Sequence, residues 1–282
     1  MKFRLGVVLI RFPVCPLFVP ANKLDWIEKA KASNADALIL DLEDSVSLQE
    51  KKETREGLME HLSSQELNTP YLIRINPLNT NEGQRDLSLL DNVTNNFVAL
   101  LIPKVETLEE LSFVPKSCNV ILLIETPLAI KNLEILASDK RVQGLCLGGA
   151  DLSAELGSDM SWDALLYSRS KLVLHASINN IFSIDSPFME IDKSEQLEEE
   201  CLKAKALGFT SKAAIHPGQV EIIKRNFLPT EDEIKEAKKI LKQYAGSSKG
   251  VIAVDGKMVD EPVVKSMQKK LLLAGFDPDE LK

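Results

Sequence analysis

Polar and charged side chains recur along this sequence at the ends of short apolar runs. A single group of this kind can end a run simply because the chain reaches solvent there. Seven of eight such runs end this way, however, so we expect these groups to share a site. The side chains concerned are Asp41, Arg74, Asn76, Lys104, Glu125, Asp151, Asp185 and His216.

Glu125 and Asp151 are the best pair of candidate metal ligands in this set. Magnesium typically takes one or two protein carboxylates and keeps its other positions for water and substrate oxygens. Arg74 carries a planar, permanently charged fork that matches a substrate carboxylate. A metal that holds a 2-oxo acid would stabilise charge on the keto oxygen while a carbon–carbon bond breaks or forms. The residues therefore indicate aldol or Claisen chemistry on an acidic substrate.

Lys104 has two alternative roles. It could form a Schiff base with a carbonyl substrate, as lysines do in metal-free aldolases. Glu106 and the carboxylates at the other strand ends favour a protonated Lys104 in an ion-pair network, because acidic surroundings raise the pKa of a lysine.

His216 and Arg169 are two further candidates. His216 could act in catalysis or be a hydrogen-bonded residue at the start of a loop, and we expect Arg169 to make a structural ion pair.

Composition restricts the class of partner. The chain has 282 residues, 44% of them hydrophobic, which suffices for one large domain. Its net charge of −8 is spread along the chain and argues against a nucleic-acid partner, so a small-molecule substrate is expected. The four cysteines form no C-x-x-C pair and have no histidine at ligand spacing. Neither a zinc site nor a disulfide framework is indicated, and we expect a cytoplasmic protein.

The apolar run near the N-terminus resembles a secretion signal at first sight. It holds only six residues before Arg11, and Pro13 and Pro16 follow. A signal core or a membrane span needs a longer, unbroken run. We therefore expect buried strand material here and no membrane partner.

Eight β-branched apolar runs, each followed by a segment with helical periodicity, predict a (β/α)8 barrel. Near-continuous hydrophobicity is typical of strands buried on both faces. A doubly wound open sheet is the alternative, but neither G-x-G-x-x-G after the first run nor a phosphate loop occurs. The predicted strands are 15–20, 37–41, 71–76, 98–104, 119–125, 144–148, 181–185 and 213–216.

Eight segments, in order along nearly the whole chain, resemble the citrate lyase beta-subunit family. That family is related to the malyl-CoA and citramalyl-CoA lyases and to the class II 2-keto-acid aldolases. Any one segment is a weak signal, but eight in the same order are a strong one. The segments are LFVPAN (17–22), LILDLEDSV (38–46), IRIN (73–76), LIPKVET (101–107), LLIETPLAI (122–130), LGGADLSAELG (147–157), GFTSKAAIHPGQV (208–220) and GKMVDEPVV (256–264).

The resemblance implies a magnesium-dependent barrel enzyme that cleaves a 3-hydroxyacyl thioester into a 2-oxo acid and an acetyl thioester. Glu125 and Asp151 match the family's metal ligands, and Arg74 matches the arginine that binds the oxo-acid carboxylate. Asp44 stands where the aldolase branch carries a histidine, which favours a thioester substrate over a free sugar acid. We assign Asp44 to the catalytic set with Arg74. We expect Asp41, Glu43 and Lys104 to lie next to the metal's ligands and to orient them without binding the metal themselves.

The last fifty or so residues follow a barrel expected to span residues 1–229. A helix from Thr230 to Tyr244, a type I′ hairpin at Asp255-Gly256 and a final helix are predicted for 230–282. On structure alone, a hairpin that caps one end of the barrel is the simplest interpretation. The resemblance instead implies a lid over a neighbouring subunit, with Asp260 as the proton donor or acceptor at the thioester's α-carbon, and hence a homo-oligomer, a trimer or a multiple of one.

Two departures from the family pattern leave the exact substrate open. Val14 stands where many members carry an arginine, for which Arg11 is one substitute, and Ala150 replaces a glutamate just before the metal aspartate. Coenzyme A thioesters of the citramalyl, citryl or malyl type are the expected substrates. The alternative is a subunit of a citrate lyase complex that receives its acyl group from a carrier protein, and a third is a non-catalytic scaffold.

Overall fold

The computed structural model describes residues 2–5, 8–11, 13–64, 67–247 and 250–277, with side chains from residue 13 onward. The chain starts with an antiparallel hairpin of β1 (Lys2–Leu5) and β2 (Val8–Arg11), in which Lys2 lies opposite Arg11. This segment was predicted to be strand material. The predicted burial of its side chains, and the position of the Arg11 side chain, lie outside the described residues.

Eight parallel strands follow, each hydrogen-bonded to the next in sequence order. A parallel bridge between Leu17 and Ala214 joins the last strand to the first, with Phe18 N–H donating to Ala214 O at 2.8 Å. The predicted (β/α)8 barrel is thereby confirmed. The strands are β3 (Pro16–Pro20), β4 (Ala37–Asp41), β5 (Tyr71–Arg74), β6 (Phe97–Pro103), β7 (Val120–Ile124), β8 (Val142–Leu147), β9 (Phe182–Asp185) and β10 (Ser211–Lys212).

Helices cover the outside of the barrel. The larger core lies between them and the strands, and a smaller apolar cluster fills the barrel interior. Burial on both faces explains the unbroken apolar runs in the strand sequences. The helices are α1 (Asp25–Ala32), α2 (Lys51–Ser64), α3 (Asn81–Asp86), α4 (Pro127–Lys131), α5 (Leu133–Leu136), α6 (Gly149–Leu156), α7 (Trp162–Ile178), α8 (Ser194–Leu207), α9 (Pro217–Phe227), α10 (Glu231–Ala245) and α11 (Glu261–Leu273).

Two predicted elements differ from those found. The crossover from β6 to β7 contains only a 3₁₀ helix, Glu110–Phe113, in place of an α-helix. Pro115 follows closely and removes a backbone donor, which accounts for this short turn. The eighth strand was expected at 213–216, but β10 consists of Ser211 and Lys212. His216 is instead the N-cap of α9, where its side chain accepts a hydrogen bond from Gly218 N–H.

The C-terminal segment has the predicted helix–hairpin–helix order. Thr230 caps α10 in a capping box with Glu233. The strands β11 (Ile252–Val254) and β12 (Lys257–Val259) are joined by Asp255 and Gly256, both with positive φ, as a type I′ turn requires. α10, the hairpin and α11 share a small apolar cluster of their own. No helix among the described residues is both long enough and apolar enough to cross a membrane.

Candidate active site

A cavity of about 710 Å³ opens at the carboxyl ends of the barrel strands, where active sites of this fold lie. Its wall contains both apolar and charged side chains. The charged and histidine side chains that line it are Lys29, Asp41, Asp44, Arg74, Glu125, Asp151 and His216. The structure therefore brings together five of the predicted strand-end groups, with Asp44 beside them.

Arg74 is held in one orientation by Asp41. The two residues are register partners on β5 and β4. Nε of Arg74 donates to Oδ1 of Asp41 at 2.6 Å and Nη2 donates to Oδ2 at 2.7 Å. Although burial opposes it, the fork from Arg74 lowers the pKa of Asp41, so this carboxylate stays charged. Asp41 was expected to orient metal-bound water, whereas here it orients the arginine.

Glu43 connects Arg74 with Lys104. Its Oε2 lies 3.0 Å from Nη1 of Arg74, and its Oε1 accepts a hydrogen bond from Nζ of Lys104 at 3.0 Å. Glu43 is only 4% exposed. Burial and the nearby charge of Asp44 raise the pKa of Glu43, while Arg74 and Lys104 oppose that rise. Glu43, which was predicted to lie near the metal site, is thus a buried carboxylate that contacts two basic side chains.

Lys104 contacts three carboxylates through two of its own atoms. Its ammonium lies 3.0 Å from Glu43 and 3.7 Å from Oδ1 of Asp151, and its backbone N–H donates to Oε1 of Glu125 at 3.1 Å. The backbone of Lys104 has φ of +55°, in the left-handed region that non-glycine residues seldom adopt. Partial burial opposes it, but the hydrogen bond and the negative charges raise the pKa of Lys104. The protonated ion-pair role fits this geometry, and Glu106 contributes instead to a hydrogen bond with Thr126.

Glu125 carries the most perturbed carboxyl group of the site. It follows β7 and is 1% exposed. Burial, together with the negative charges of Glu43 and Asp151, raises the pKa of Glu125 to about 9. Burial and these negative charges outweigh the nearby positive charges of Lys104 and Arg74, which lower the pKa. A divalent ion placed there would stabilise the ionised carboxylate.

Glycine at position 148 allows Glu125 and the following helix to approach each other. A Cβ at Gly148 would lie 2.4 Å from Cβ of Glu125 and 2.6 Å from its Oε2. α6 starts immediately afterwards and carries Asp151 in its first turn. Among the described residues, no group of three or more Asp, Glu, His or Cys side chains forms a closed metal cage. Two carboxylates in an open cavity are the donor set that magnesium uses when it keeps places for water and substrate, so the residues present fit this ion.

Three predicted strand-end groups lie outside the cavity lining. Asp185 is fully buried between Lys212, at 2.8 Å, and Arg169, at 2.9 Å. The expectation that Asp185 faces the site is therefore wrong, because two basic side chains enclose it; the predicted structural ion pair of Arg169 is confirmed. Asn76 holds the loop after β4 by donating to Leu42 O at 3.1 Å. Lys104 contacts Glu43, Glu125 and Asp151 but does not line the cavity.

Asp260 lies apart from the cavity of its own chain. It is the N-cap of α11, and its Oδ1 accepts a hydrogen bond from Val263 N–H at 3.2 Å. It is half-buried and is not among the residues that line the cavity.

The two departures from the family pattern occupy different environments. Val14 is 2% exposed in the core between strands and helices, and its carbonyl accepts a hydrogen bond from Ser211 Oγ at 2.9 Å. Ala150 is exposed and lines the cavity beside Asp151. Of the two changed positions, Ala150 therefore lines the cavity and Val14 does not.

Several residues that shape the site were not singled out from the sequence. Gly148 was visible as the second residue of the motif before Asp151, but the close approach that requires glycine depends on a neighbouring strand. The burial of Lys212 could not be predicted from the sequence, because a fully buried lysine is rare. Lys51 donates to the carbonyls of Leu42 and Glu43 at 2.9 and 2.8 Å and so fixes the acidic loop. No local signal distinguishes it from a surface lysine.

Comparison with known proteins adds an independent finding. Residues 15–217 match the model of a family described as HpcH/HpaI aldolase/citrate lyase. A mitochondrial citramalyl-CoA lyase from Homo sapiens is 27% identical over 286 residues, which cover 92% of this chain and 84% of that protein. A citrate lyase subunit beta-like protein from Mycobacterium tuberculosis H37Rv is 32% identical over 268 residues, covering 92% of this chain and 94% of the relative.

A solved structure is similar over almost the full length. It is the protein CitE from Mycobacterium tuberculosis in complex with magnesium, acetoacetate and coenzyme A. The TM-score is 0.79 at 29% sequence identity, and the match covers 95% of this chain and 100% of the other. The described barrel and its C-terminal segment thus have a counterpart of known structure.

Proposed function

Because the chain belongs to the HpcH/HpaI aldolase/citrate lyase family, we propose that it is a magnesium-dependent enzyme that cleaves a 3-hydroxyacyl thioester into a 2-oxo acid and an acetyl thioester. The predicted family and the predicted class, a carbon–carbon lyase, are confirmed by the family model and the relatives. One observation carries the more specific proposal. Two carboxylates suited to magnesium share a cavity with an arginine that a third carboxylate holds in place.

Glu125 and Asp151 would hold the metal ion. Bound there, magnesium would supply a Lewis acid for the keto oxygen of the 2-oxo acid. Lys104 keeps the two ligands in place, through its N–H to Glu125 and its ammonium near Asp151. The buried Glu43 balances Lys104 on the other side. These contacts fix both ligands before any substrate enters, which lowers the cost of assembling the site.

Arg74 would bind the carboxylate of the 2-oxo acid. Two of its five N–H donors are committed to Asp41, and Nη1 lies 3.0 Å from Glu43 and 3.4 Å from Asp44, which leaves at least one N–H on Nη2 and one on Nη1. The outer edge of the guanidinium thus keeps donors for a carboxylate. Asp44 is 57% exposed on its side chain and lines the cavity, where we assign it to the catalytic set as a polar neighbour of the bound acid.

A second copy of the chain would complete the site with Asp260. The side chain would transfer a proton at the α-carbon of the acetyl thioester. Support comes from its position on a separately packed C-terminal segment, away from its own cavity. We therefore propose a barrel unit at 1–229, a lid at 230–282 and a homo-oligomer, with a trimer as the expected form. The cytoplasmic location likewise stays a prediction.

The proposed reaction is tested with a panel of thioesters. Purified protein with magnesium should release acetyl-CoA and a 2-oxo acid from at least one of citramalyl-, malyl- and citryl-CoA, and a chelator should abolish this release. Glu125→Gln and Asp151→Asn should each lower kcat/KM at least about 100-fold, because each removes a charged ligand. Glu199→Gln is the matched control, since Glu199 lies on the outer face of α8 and pairs only with Lys203 in the described contacts.

Three outcomes would redirect the proposal. Inactivity on every CoA thioester, with activity on a carrier-protein thioester, would favour the complex subunit. Full activity of both ligand variants would contradict the metal site. For the shared site, co-expressed Asp260→Asn and Glu125→Gln chains should regain activity that neither has alone, because some mixed sites contain both intact residues. No recovery from a verified mixed oligomer would count against a partner's Asp260.

A further inference from the structure

Lys51 is the first residue of α2, which follows the acidic loop after β4. Its ammonium donates to the carbonyl oxygen of Leu42 at 2.9 Å and to that of Glu43 at 2.8 Å. Lys51 is not among the residues that line the cavity. Its contacts reach the site through the backbone of the loop that carries Glu43 and Asp44.

The peptide group between Leu42 and Glu43 is held at both ends. The carbonyl oxygen of Leu42 accepts a second hydrogen bond, from Nδ2 of Asn76 at 3.1 Å. The N–H of Glu43 belongs to the same planar group and donates to Oδ1 of Asp41 at 2.9 Å. Because a peptide group is planar, the direction of its carbonyl sets the direction of its N–H. Donors on the carbonyl also polarise the group and strengthen its N–H as a donor.

Asp41 transmits this orientation to Arg74. Oδ1 of Asp41 accepts hydrogen bonds from the N–H of Glu43 and, at 2.6 Å, from Nε of Arg74. Its Oδ2 accepts hydrogen bonds from the N–H of Ser45 at 3.2 Å and from Nη2 of Arg74 at 2.7 Å. Asp41 is only 2% exposed, so water does not readily replace a lost donor. The plane of the Asp41 carboxylate therefore depends on the loop backbone, and the orientation of Arg74 depends on that plane.

α2 reaches the Leu42 carbonyl by a second, indirect route. Arg55 lies one turn after Lys51, and its Nε donates to Oδ1 of Asp86 at 2.7 Å. Oδ2 of Asp86 accepts hydrogen bonds from the backbone N–H of Asn76 at 2.8 Å and from its Nδ2 at 2.7 Å. Asp86 is fully buried. Both donors to the Leu42 carbonyl are thus anchored on α2, but only Lys51 brings a charge to it.

We infer that Lys51 is a positioning residue. Together with Asn76 it orients the 42–43 peptide group and, through Asp41, holds Arg74 ready for a carboxylate. The inference rests on the proposed function for the role of Arg74, and it extends that role to a residue outside the cavity. An arginine that is ordered before the acid arrives does not lose side-chain freedom on binding, which favours affinity.

Two neighbouring lysines provide a matched test. Lys52 follows Lys51 in α2 but is 80% exposed and lies 3.9 Å from Glu56. In calorimetry with magnesium, Lys51→Met should raise the Kd of pyruvate at least about fivefold, the value of one lost hydrogen bond. Lys52→Met should leave this Kd unchanged, and Lys51→Arg, which keeps donors and charge, should restore most of the affinity. A lower unfolding midpoint in Lys51→Met with an unchanged Kd would show a purely structural lysine and overturn the inference.

Further variants separate orientation from charge, since Lys51→Met also removes a positive charge near an anionic ligand. Asn76→Ala removes the other donor to the Leu42 carbonyl without a change in charge, and it should raise the Kd of pyruvate by a similar factor. In an Arg74→Lys background, Lys51→Met should change the Kd less than about twofold, because its effect passes through Arg74. An unchanged Kd in Asn76→Ala, or the same fold-change in both backgrounds, would overturn the inference.

Crystal structures of the two lysine variants distinguish this inference from the proposed function. In Lys51→Met the N–H of Glu43 should move beyond about 3.5 Å from Oδ1 of Asp41, and at least one contact of the Arg74 fork should lengthen likewise; Lys52→Met should keep all of them. If these contacts change while neither Lys51→Met nor Arg74→Lys alters pyruvate affinity, the positioning stands and the proposed role of Arg74 fails. If they persist in Lys51→Met while Arg74→Lys weakens pyruvate binding, the proposed function stands and Lys51 does not position Arg74.

Discussion

Magnesium affinity should depend steeply on pH, because Glu125, the proposed ligand, has a raised pKa and keeps its proton at neutral pH in the metal-free protein. Burial and the charges of Glu43 and Asp151 raise the pKa of Glu125 to about 9. The metal binds the carboxylate form, so this proton must leave first. At pH 7, two units below that pKa, its removal costs about 2.7 kcal/mol. The apparent Kd should therefore fall about tenfold for each unit of pH between 6 and 8.

Stability of the metal-free protein should change in the opposite direction. The unfolded chain releases this proton near the ordinary glutamate pKa of 4.5, whereas the folded chain keeps it to about 9. Between these values the folded state binds more protons, so stability falls as pH rises. Magnesium offsets this loss and should stabilise the protein more at pH 8 than at pH 6.

Calorimetry in buffers of different ionisation enthalpy measures both the affinity and the number of protons released. We expect about one proton per magnesium ion at pH 7. Glu125→Gln should bind magnesium weakly and lose most of the pH dependence, whereas Glu43→Gln, which removes a neighbouring charge, should lower the pKa of Glu125 and flatten the dependence only partly. A Kd that is constant from pH 6 to 8, with no proton release, would refute this account of Glu125.

Three further substitutions test separate parts of the structure. Gly148→Ala should weaken magnesium binding at least about tenfold in calorimetry, because the new Cβ would lie 2.4 Å from Cβ of Glu125; unchanged affinity would contradict the close approach. Arg74→Lys should raise the Kd of pyruvate at least about tenfold, since the fork is lost while the charge remains; an unchanged Kd in Arg74→Lys beside a large rise in Arg74→Met would show that charge alone matters. Lys212→Met should lower the free energy of unfolding by about 3 kcal/mol in denaturant titration, because Asp185 loses a buried partner; an unchanged midpoint would show that Arg169 suffices.

The barrel could be predicted from the sequence because strands buried on both faces leave unbroken apolar runs. β4 begins and ends at the predicted residues, 37 and 41. The last strand was placed two residues late, because β10 consists of a serine and a lysine. Lys212 is fully buried only because Asp185 and Glu200 neutralise it, and that pairing depends on strands and helices far apart in sequence.

The candidate site could be predicted in its residue types but not in its internal contacts. Strand ends and family motifs located Arg74, Glu125 and Asp151, and all three line one cavity. That Asp41 orients Arg74 follows from the register of two neighbouring strands, which the sequence does not specify. The left-handed backbone of Lys104 likewise has no local signal, since the residue is not glycine.

The position of the bound metal ion is the sharpest test of Glu125 and Asp151 as its ligands. Crystals of the protein with Mn²⁺ in place of magnesium, and with pyruvate, can be measured for anomalous scattering. One strong peak is expected roughly 2.1 Å from a carboxylate oxygen of Glu125 and of Asp151, with the pyruvate carboxylate on Arg74. A peak at other residues, or pyruvate bound away from Arg74 with no metal between the two carboxylates, would contradict it.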